Sequence, residues 1–251
     1  MQFEKEYLVH VYETGPDGYL SIPSFFNYLQ DIASDHAIKL GFGREDLLRS
    51  NRFWVLSRIY AEIAVMPVWE DRVKITTWPN GTDKLFALRN FDIRSADGRH
   101  IASATSSWLI LDRTTKKIQR PDALLSHFYS DLIPNQSPIR YASRLDFSMA
   151  DPAVTGPFPI KISDLDINLH VNNVKYLTWV SDTYDLDFVL NNAPKSVEIN
   201  YLAESRFGDE VIIQSMAEPV ENSVFNHSVV RQNDNKELCR MIIGWKGTDN
   251  K

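Results

Sequence analysis

Trp69-Glu70-Asp71-Arg72-Val73-Lys74-Ile75 and Phe207-Gly208-Asp209-Glu210-Val211-Ile212-Ile213 match aromatic on aromatic, Asp71 on Asp209 and apolar on apolar. Each reads as a turn feeding a long strand, because apolar side chains alternate after the acidic turn residue. Two copies of such a unit in one chain imply an internal repeat. Upstream, Ile59, Ala61, Ile63 and Val65 alternate before the first copy, and Val197, Ile199 and Tyr201 before the second. Downstream, the spacing predicts strands at 86–94 and 102–111 around Ala96-Asp97-Gly98-Arg99, and at 223–231 and 238–245 around Asn233-Asp234-Asn235.

A helix opens each copy. Ile22, Phe25, Phe26, Leu29, Ile32, Ala33, Ala37 and Leu40 recur at three- and four-residue spacing, with Ser21 or Ser24 as cap and Gly41 and Gly43 as terminators. Val174, Leu177, Val180 and Tyr184 repeat that period after Asn172 or Asn173. The pairs Tyr28-Leu29 and Tyr176-Leu177 suggest a register that sets Ile22 opposite His170 and Leu20 opposite Asn168. A helix followed by an antiparallel sheet that wraps it is the hotdog arrangement. Two of them make an α+β double hotdog whose sheets join edge to edge and hide otherwise exposed strands. The expected organisation is an N-terminal half at 1–120, a proline-rich linker at 121–159 and a C-terminal half at 160–251. The 133–147 part of the linker is extended and is expected to cover the surface of one half.

Composition supports a folded chain: of 251 residues, 43% are hydrophobic and 24% charged. The formal net charge of -6 argues against nonspecific nucleic-acid binding, which needs a basic surface. Neither a basic, then apolar N-terminal segment nor a run of transmembrane length is present, so a cytoplasmic location without a membrane span is expected. The single cysteine, Cys239, excludes an intramolecular disulfide and a multi-cysteine zinc site. Without a HExxH pattern, a Gly-x-Ser-x-Gly elbow or a phosphate-binding Gly-rich loop, no metal, no cofactor and neither serine-hydrolase nor P-loop chemistry is expected.

The halves differ in what leads into their helices. Asp166-Ile167-Asn168-Leu169-His170 sets three hydrogen-bonding side chains at every second position, which on an extended backbone project to one side. At the following helix start, backbone N–H groups of Val171, Asn172 and Asn173 are candidates to stabilise an oxyanion, which suits acyl transfer to water. The same residues also have an ordinary reading as helix caps and turn formers, and spacing alone does not decide between the two.

These segments resemble a known family, the plant and bacterial acyl-acyl carrier protein thioesterases. The resemblance runs through the 25–37 helix, Phe53-Trp54-Val55-Leu56-Ser57-Arg58, Pro67-Val68-Trp69-Glu70-Asp71, Ala104-Thr105-Ser106-Ser107-Trp108 and the 166–179 block. The family's catalytic block reads Asp-x-Asn-x-His-Val-Asn-Asn, and it matches Asp166 to Asn173 throughout. The resemblance implies a double hotdog that hydrolyses fatty acyl-carrier-protein thioesters, with Asp166, Asn168, His170 and Glu204 as catalytic residues. Where many relatives carry Cys after that glutamate, this chain has Ser205, so a thiolate nucleophile is not expected. Water activated by Glu204 or His170 is favoured, with Asn168 holding the water or the carbonyl, Asp166 orienting its neighbours and a Ser205 nucleophile as competitor.

The resemblance further implies that the first half forms the acyl tunnel, with Phe25, Phe26, Leu29, Trp54 and Trp108 as lining candidates. The acidic carrier would dock on Arg113, Lys116, Lys117 and Arg120, or on Lys39 and Arg44. An acyl-coenzyme A thioesterase of the same fold and a non-catalytic acyl-binding protein are the rival functions. A homodimer is allowed, although two halves in one chain reduce the need for a partner subunit.

Overall fold

Ser21 starts the first long helix by accepting the Ser24 N–H on its Oγ at 3.3 Å, with Pro23 in the first turn, in the computed structural model, which describes residues 2–121, 137–218 and 223–248. Helix α1 (Ile22–Lys39) buries Ile22, Phe25, Phe26, Tyr28, Leu29, Ile32, Ala33 and His36. It ends where Gly41 takes φ +73°, a left-handed value that costs glycine least. The first half is β1 (Phe3–Leu8), α1, α2 (Arg44–Arg49), β2 (Arg52–Ile63), β3 (Arg72–Asp83), β4 (Phe86–Ser95), β5 (His100–Asp112) and β6 (Ile118–Gln119). The second is β7 (Ala153–Pro159), α3 (Asn173–Ser181), α4 (Leu186–Asn191), β8 (Asn192–Tyr201), β9 (Glu210–Ala217), β10 (Val224–Arg231) and β11 (Lys236–Gly247).

All strands join one antiparallel sheet in the order β1-β3-β4-β5-β2-β8-β11-β10-β9-β7, with β6 beside β5. The order is palindromic about β2–β8, where Ile59 pairs with Ile199 and Ala61 with Val197. Both inner edges are consumed at this seam, so the expected double hotdog with edge-to-edge sheets is what forms. One hydrophobic core spans the seam and holds α1 and α3 together, with Leu29, Ile59, Leu177 and Ile199 all nearly inaccessible to solvent. Each such side chain contributes about 1.5–3 kcal/mol on burial. None of the described helices is long and apolar enough to cross a membrane.

Two expectations need correction. Helix α3 has only 9 residues against 18 for α1, and Tyr184 lies beyond it in a turn where Thr183 N donates to the Val180 carbonyl at 3.1 Å. The stretch taken as linker also carries an edge strand of the second half, since β7 pairs with β9. Residues 122–136 of that linker lie outside those described. Residues 137–147 run over the sheet face away from the helices, and they cross the seam where one half was expected to be covered. On the first half Thr105 Oγ1 donates to the Arg140 carbonyl at 2.8 Å; on the second, Arg140 grips Glu198 through Nη2–Oε2 at 2.6 Å and Nη1–Oε1 at 3.0 Å. Ser143 N adds a 2.7 Å bond to Glu198, and Leu145 N donates to Asn200 Oδ1 at 3.0 Å.

The second half also encloses a buried polar chain. Trp245 Nε1 donates to the Tyr184 hydroxyl at 3.1 Å, Tyr184 bonds His227 Nε2 at 2.7 Å, and His227 Nδ1 meets Ser215 Oγ at 2.8 Å. Indole can only donate, whereas the Tyr184 and Ser215 hydroxyls can each donate or accept, so both ring nitrogens of His227 are paired in either neutral tautomer. Burial holds the imidazole neutral, with a pKa lowered from 6.5 to about 3. Between those values the unfolded chain binds a proton that the folded chain refuses. His227 therefore contributes a stability that is complete above 6.5 and lost as pH falls toward 3. The stability advantage of the natural protein over His227→Gln in urea titrations is expected to shrink between pH 7 and pH 5. A difference independent of pH would refute this.

Candidate active site

The residues entering each helix fold into the same turn in both halves. In the first, Gly15 N donates to the Tyr19 carbonyl and Ser21 N to that of Glu13; in the second, Asp166 N donates to His170 and Asn172 N to Asp164. Leu20 N donates to Pro67, and Val171 N to Ser205. The aspartates matched in sequence also coincide, because Asp71 Oδ2 accepts Val68 N at 2.9 Å and Asp209 Oδ2 accepts Arg206 N at 3.0 Å. Counted from the caps Ser21 and Asn172, Tyr19 is the counterpart of His170, Asp17 of Asn168 and Gly15 of Asp166. The register drawn from the Tyr-Leu pairs is therefore three residues out. Met66 and Pro67 stand where the second half has Glu204 and Ser205.

Asp166 organises the second turn. Its Oδ1 accepts Asn168 N at 2.7 Å and His170 N at 3.2 Å, and its Oδ2 accepts Asn168 Nδ2 at 3.3 Å. Leu169 adopts φ +62° at the bend, so the backbone is a tight turn and not the extended run that the alternation suggested. His170 emerges from it with Nε2 3.3 Å from Glu204 Oε2. Glu204 sits just past the end of β8, where Leu202 N and Ala203 N both donate to the Leu238 carbonyl and Arg231 Nη1 donates to the Glu204 carbonyl at 3.3 Å. The structure thus brings all four sequence-predicted residues to one corner, where the side chains meet in two pairs, Asp166 with Asn168 and His170 with Glu204.

The neighbouring groups are placed differently from expectation. Ser205 is fully buried, its Oγ sharing a 2.7 Å hydrogen bond with the Tyr176 hydroxyl. Cys239 is likewise buried, and desolvation pushes its thiol well above the usual range. Two of the three candidate oxyanion donors are taken: Val171 N by the Ser205 carbonyl at 3.0 Å and Asn172 N by Asp164 at 2.8 Å. Asn172 Oδ1 caps the helix on Val174 N at 3.0 Å. This leaves Asn173 N, which no protein carbonyl takes among the described residues, and the Asn173 carbonyl is held by Tyr201 Oη at 3.1 Å.

Asn173 and Tyr201 also border an apolar crevice between the two central helices, walled by Phe26, Leu29, Leu56 and Trp108. Phe26, Leu29 and Trp108 were expected as lining. Phe25 is instead core, packed edge-on against Phe26 at 5.6 Å. Trp54 belongs to a satellite cluster with Ala87 and Ile110, its indole donating to the Phe42 carbonyl at 2.9 Å. Arg113, Lys116, Lys117 and Arg120 are exposed on the turn after β5 and around β6, and that turn is tied to the end of α2 because Arg113 N donates to the Asn51 carbonyl at 2.8 Å. Lys39 lies over the Phe3 ring at 4.0 Å. Arg44, considered from sequence only for docking, reaches Asn168 with Nε and Nη2, both 3.4 Å from Oδ1. Arg231 was missed altogether, and nothing local in its sequence marks it.

Residues 1–126 match the acyl-ACP thioesterase N-terminal domain and residues 149–247 the acyl-ACP thioesterase C-terminal domain. A palmitoyl-acyl carrier protein thioesterase of Gossypium hirsutum is 27% identical over 265 residues, covering 97% of this chain. The chain spans 63% of that relative's length. Among solved structures, an acyl-ACP thioesterase from Bacteroides thetaiotaomicron superposes with a TM-score of 0.86 at 27% identity, covering 98% of both chains. The 12:0-ACP thioesterase from Umbellularia californica shares the fold with a TM-score of 0.85 at 24% identity, covering 98% of both chains. The repeated turn, the palindromic sheet and these matches across both halves place the chain in the acyl-ACP thioesterase family.

Proposed function

We propose that this protein hydrolyses the thioester of a fatty acyl group carried on acyl carrier protein, releasing the free fatty acid in fatty acid biosynthesis. The observation that carries this reading is the His170–Glu204 contact of 3.3 Å, three residues before Asn173, which lines an apolar crevice. Water adds to the thioester carbonyl as Glu204 takes its proton, and a C–O bond forms. The tetrahedral oxyanion is held by Asn173 N–H and the Asn168 carboxamide. Glu204 hands that proton to His170 across their contact, and as the intermediate collapses the C–S bond breaks and His170 passes the proton to the departing thiolate. Asp166 holds the turn, and Ser205 supports Tyr176 from behind. A lone buried thiol fits a reducing, cytoplasmic setting.

Carrier docking is assigned to Arg113, Lys116, Lys117 and Arg120, because their turn is bonded to the segment that also sends Arg44 into the site. In a chain of net charge -6, such a local patch is what an acidic partner needs. The test is product analysis with a panel of acyl-carrier-protein thioesters of graded length, beside the same acyl groups on coenzyme A. Free fatty acid from the carrier series, at a rate that falls steeply with salt while a small thioester is indifferent to it, is expected. No release from any carrier thioester, or faster turnover on coenzyme A, would overturn the assignment.

A further inference from the structure

Asn168 is held from outside its own half of the chain. Helix α2 is fixed within the first half: Gly43 N donates to Asp46 Oδ2 at 3.0 Å, Leu47 is buried, and Trp54 Nε1 holds the Phe42 carbonyl. From this helix Arg44 extends toward the 166–170 turn. Glu45 Oε1 takes Arg44 Nη1 at 2.8 Å and so orients the guanidinium plane. The other edge of the plane, Nε and Nη2, faces Asn168 Oδ1 at 3.4 Å from each atom.

The chemistry of the partners removes the ambiguity of an amide. Guanidinium only donates and carboxylate only accepts, so the Asn168 oxygen must face Arg44 and its nitrogen must face Asp166, 3.3 Å from Oδ2. One Nδ2 hydrogen is then engaged and the other remains for the substrate. Without Arg44, Asp166 constrains only one end of an exposed side chain, and rotation about the last side-chain bond is open.

We propose that Arg44 is a positioning residue of the thioester site, fixing the Asn168 carboxamide across the junction of the two halves so that its spare N–H meets the reacting carbonyl. The inference rests on the reading of Asn168 as an oxyanion donor. It gives α2 a part in turnover distinct from carrier docking, and it makes the competent site a property of both halves together.

The experiment uses the full chain and a small thioester, an acyl N-acetylcysteamine, which removes carrier docking from the readout. Arg44→Ala is expected to lower kcat about tenfold with KM nearly unchanged. Arg44→Lys restores charge but not the planar fork, and recovers only part of the loss. In an Asn168→Ala background, Arg44→Ala should cost nothing further, the signature of two residues acting as one unit. Circular dichroism and Tm verify folding, and Arg44→Gln serves as second variant. If Asn168→Ala lowers kcat and Arg44→Ala does not, or if the two losses multiply in the double variant, the positioning role is overturned. If Arg44→Ala changes only KM on carrier substrate, Arg44 docks and does not position. If Asn168→Ala itself leaves kcat intact, the reading of the site falls, and this inference with it.

Discussion

Glu204→Gln is expected to lower turnover by ~10²–10⁴-fold while leaving the fold intact. The substitution keeps the size of the side chain and an oxygen that can still face His170 Nε2, now 3.3 Å from the carboxylate. It removes the carboxylate that takes the proton from water in the proposed reaction. The surroundings do not depend on the charge, since the segment is held through the backbone by Leu238 and Arg231. Ser205→Ala is the control. It removes a hydroxyl that is fully buried and bonded to Tyr176, so a cost of about 1–2 kcal/mol in stability and a several-fold change in rate are expected. Hydrolysis of a small thioester under single-turnover conditions measures both. Equal losses in the two variants would mean that Ser205 attacks the carbonyl and that water is not the first nucleophile.

Which parts of this site were legible beforehand follows from the period of each element. The strand copies 69–75 and 207–213 aligned correctly because a period of two tolerates no odd slip without turning the core face outward. The helix copies aligned wrongly, because three residues are almost one turn and the apolar stripe survives such a slip. Only the caps Ser21 and Asn172, with the hydrogen bonds around them, separate the two registers. The polar set at 166–170 was legible as a set, but its alternation suggested a strand. Convergence comes instead from Asp166 accepting two backbone N–H groups and from the positive φ of Leu169. Arg44 and the seam-crossing 137–147 segment were illegible as contacts. Both are tertiary, with Arg44 and Asn168 separated by 124 positions in the sequence.

Leu177→Ala should be the most damaging single truncation in the second half. Its side chain is fully inaccessible, and Leu→Ala at such sites costs about 3–5 kcal/mol, because lost transfer energy adds to that of the cavity left behind. For a chain of this size the Tm should fall by roughly 10 °C. The effect reaches the site because α3 has 9 residues, too few to hold as a helix without its apolar face of Val174, Tyr176, Leu177, Trp179 and Val180. That helix begins at Asn173, which borders the crevice and is gripped by Tyr201, three residues from both His170 and the end of the turn that Asp166 braces. Loosening it should lower kcat several-fold at temperatures where the variant is still folded. Phe26, five residues after Ser21 as Leu177 is five after Asn172, gives the comparison. It sits on the longer helix and on the crevice wall, so Phe26→Ala should alter the preferred acyl length while sparing the His170 turn. Differential scanning fluorimetry and kcat on one small thioester separate the two. A Leu177→Ala protein that loses only a few degrees and keeps full kcat would show that α3 does not depend on this face for its order.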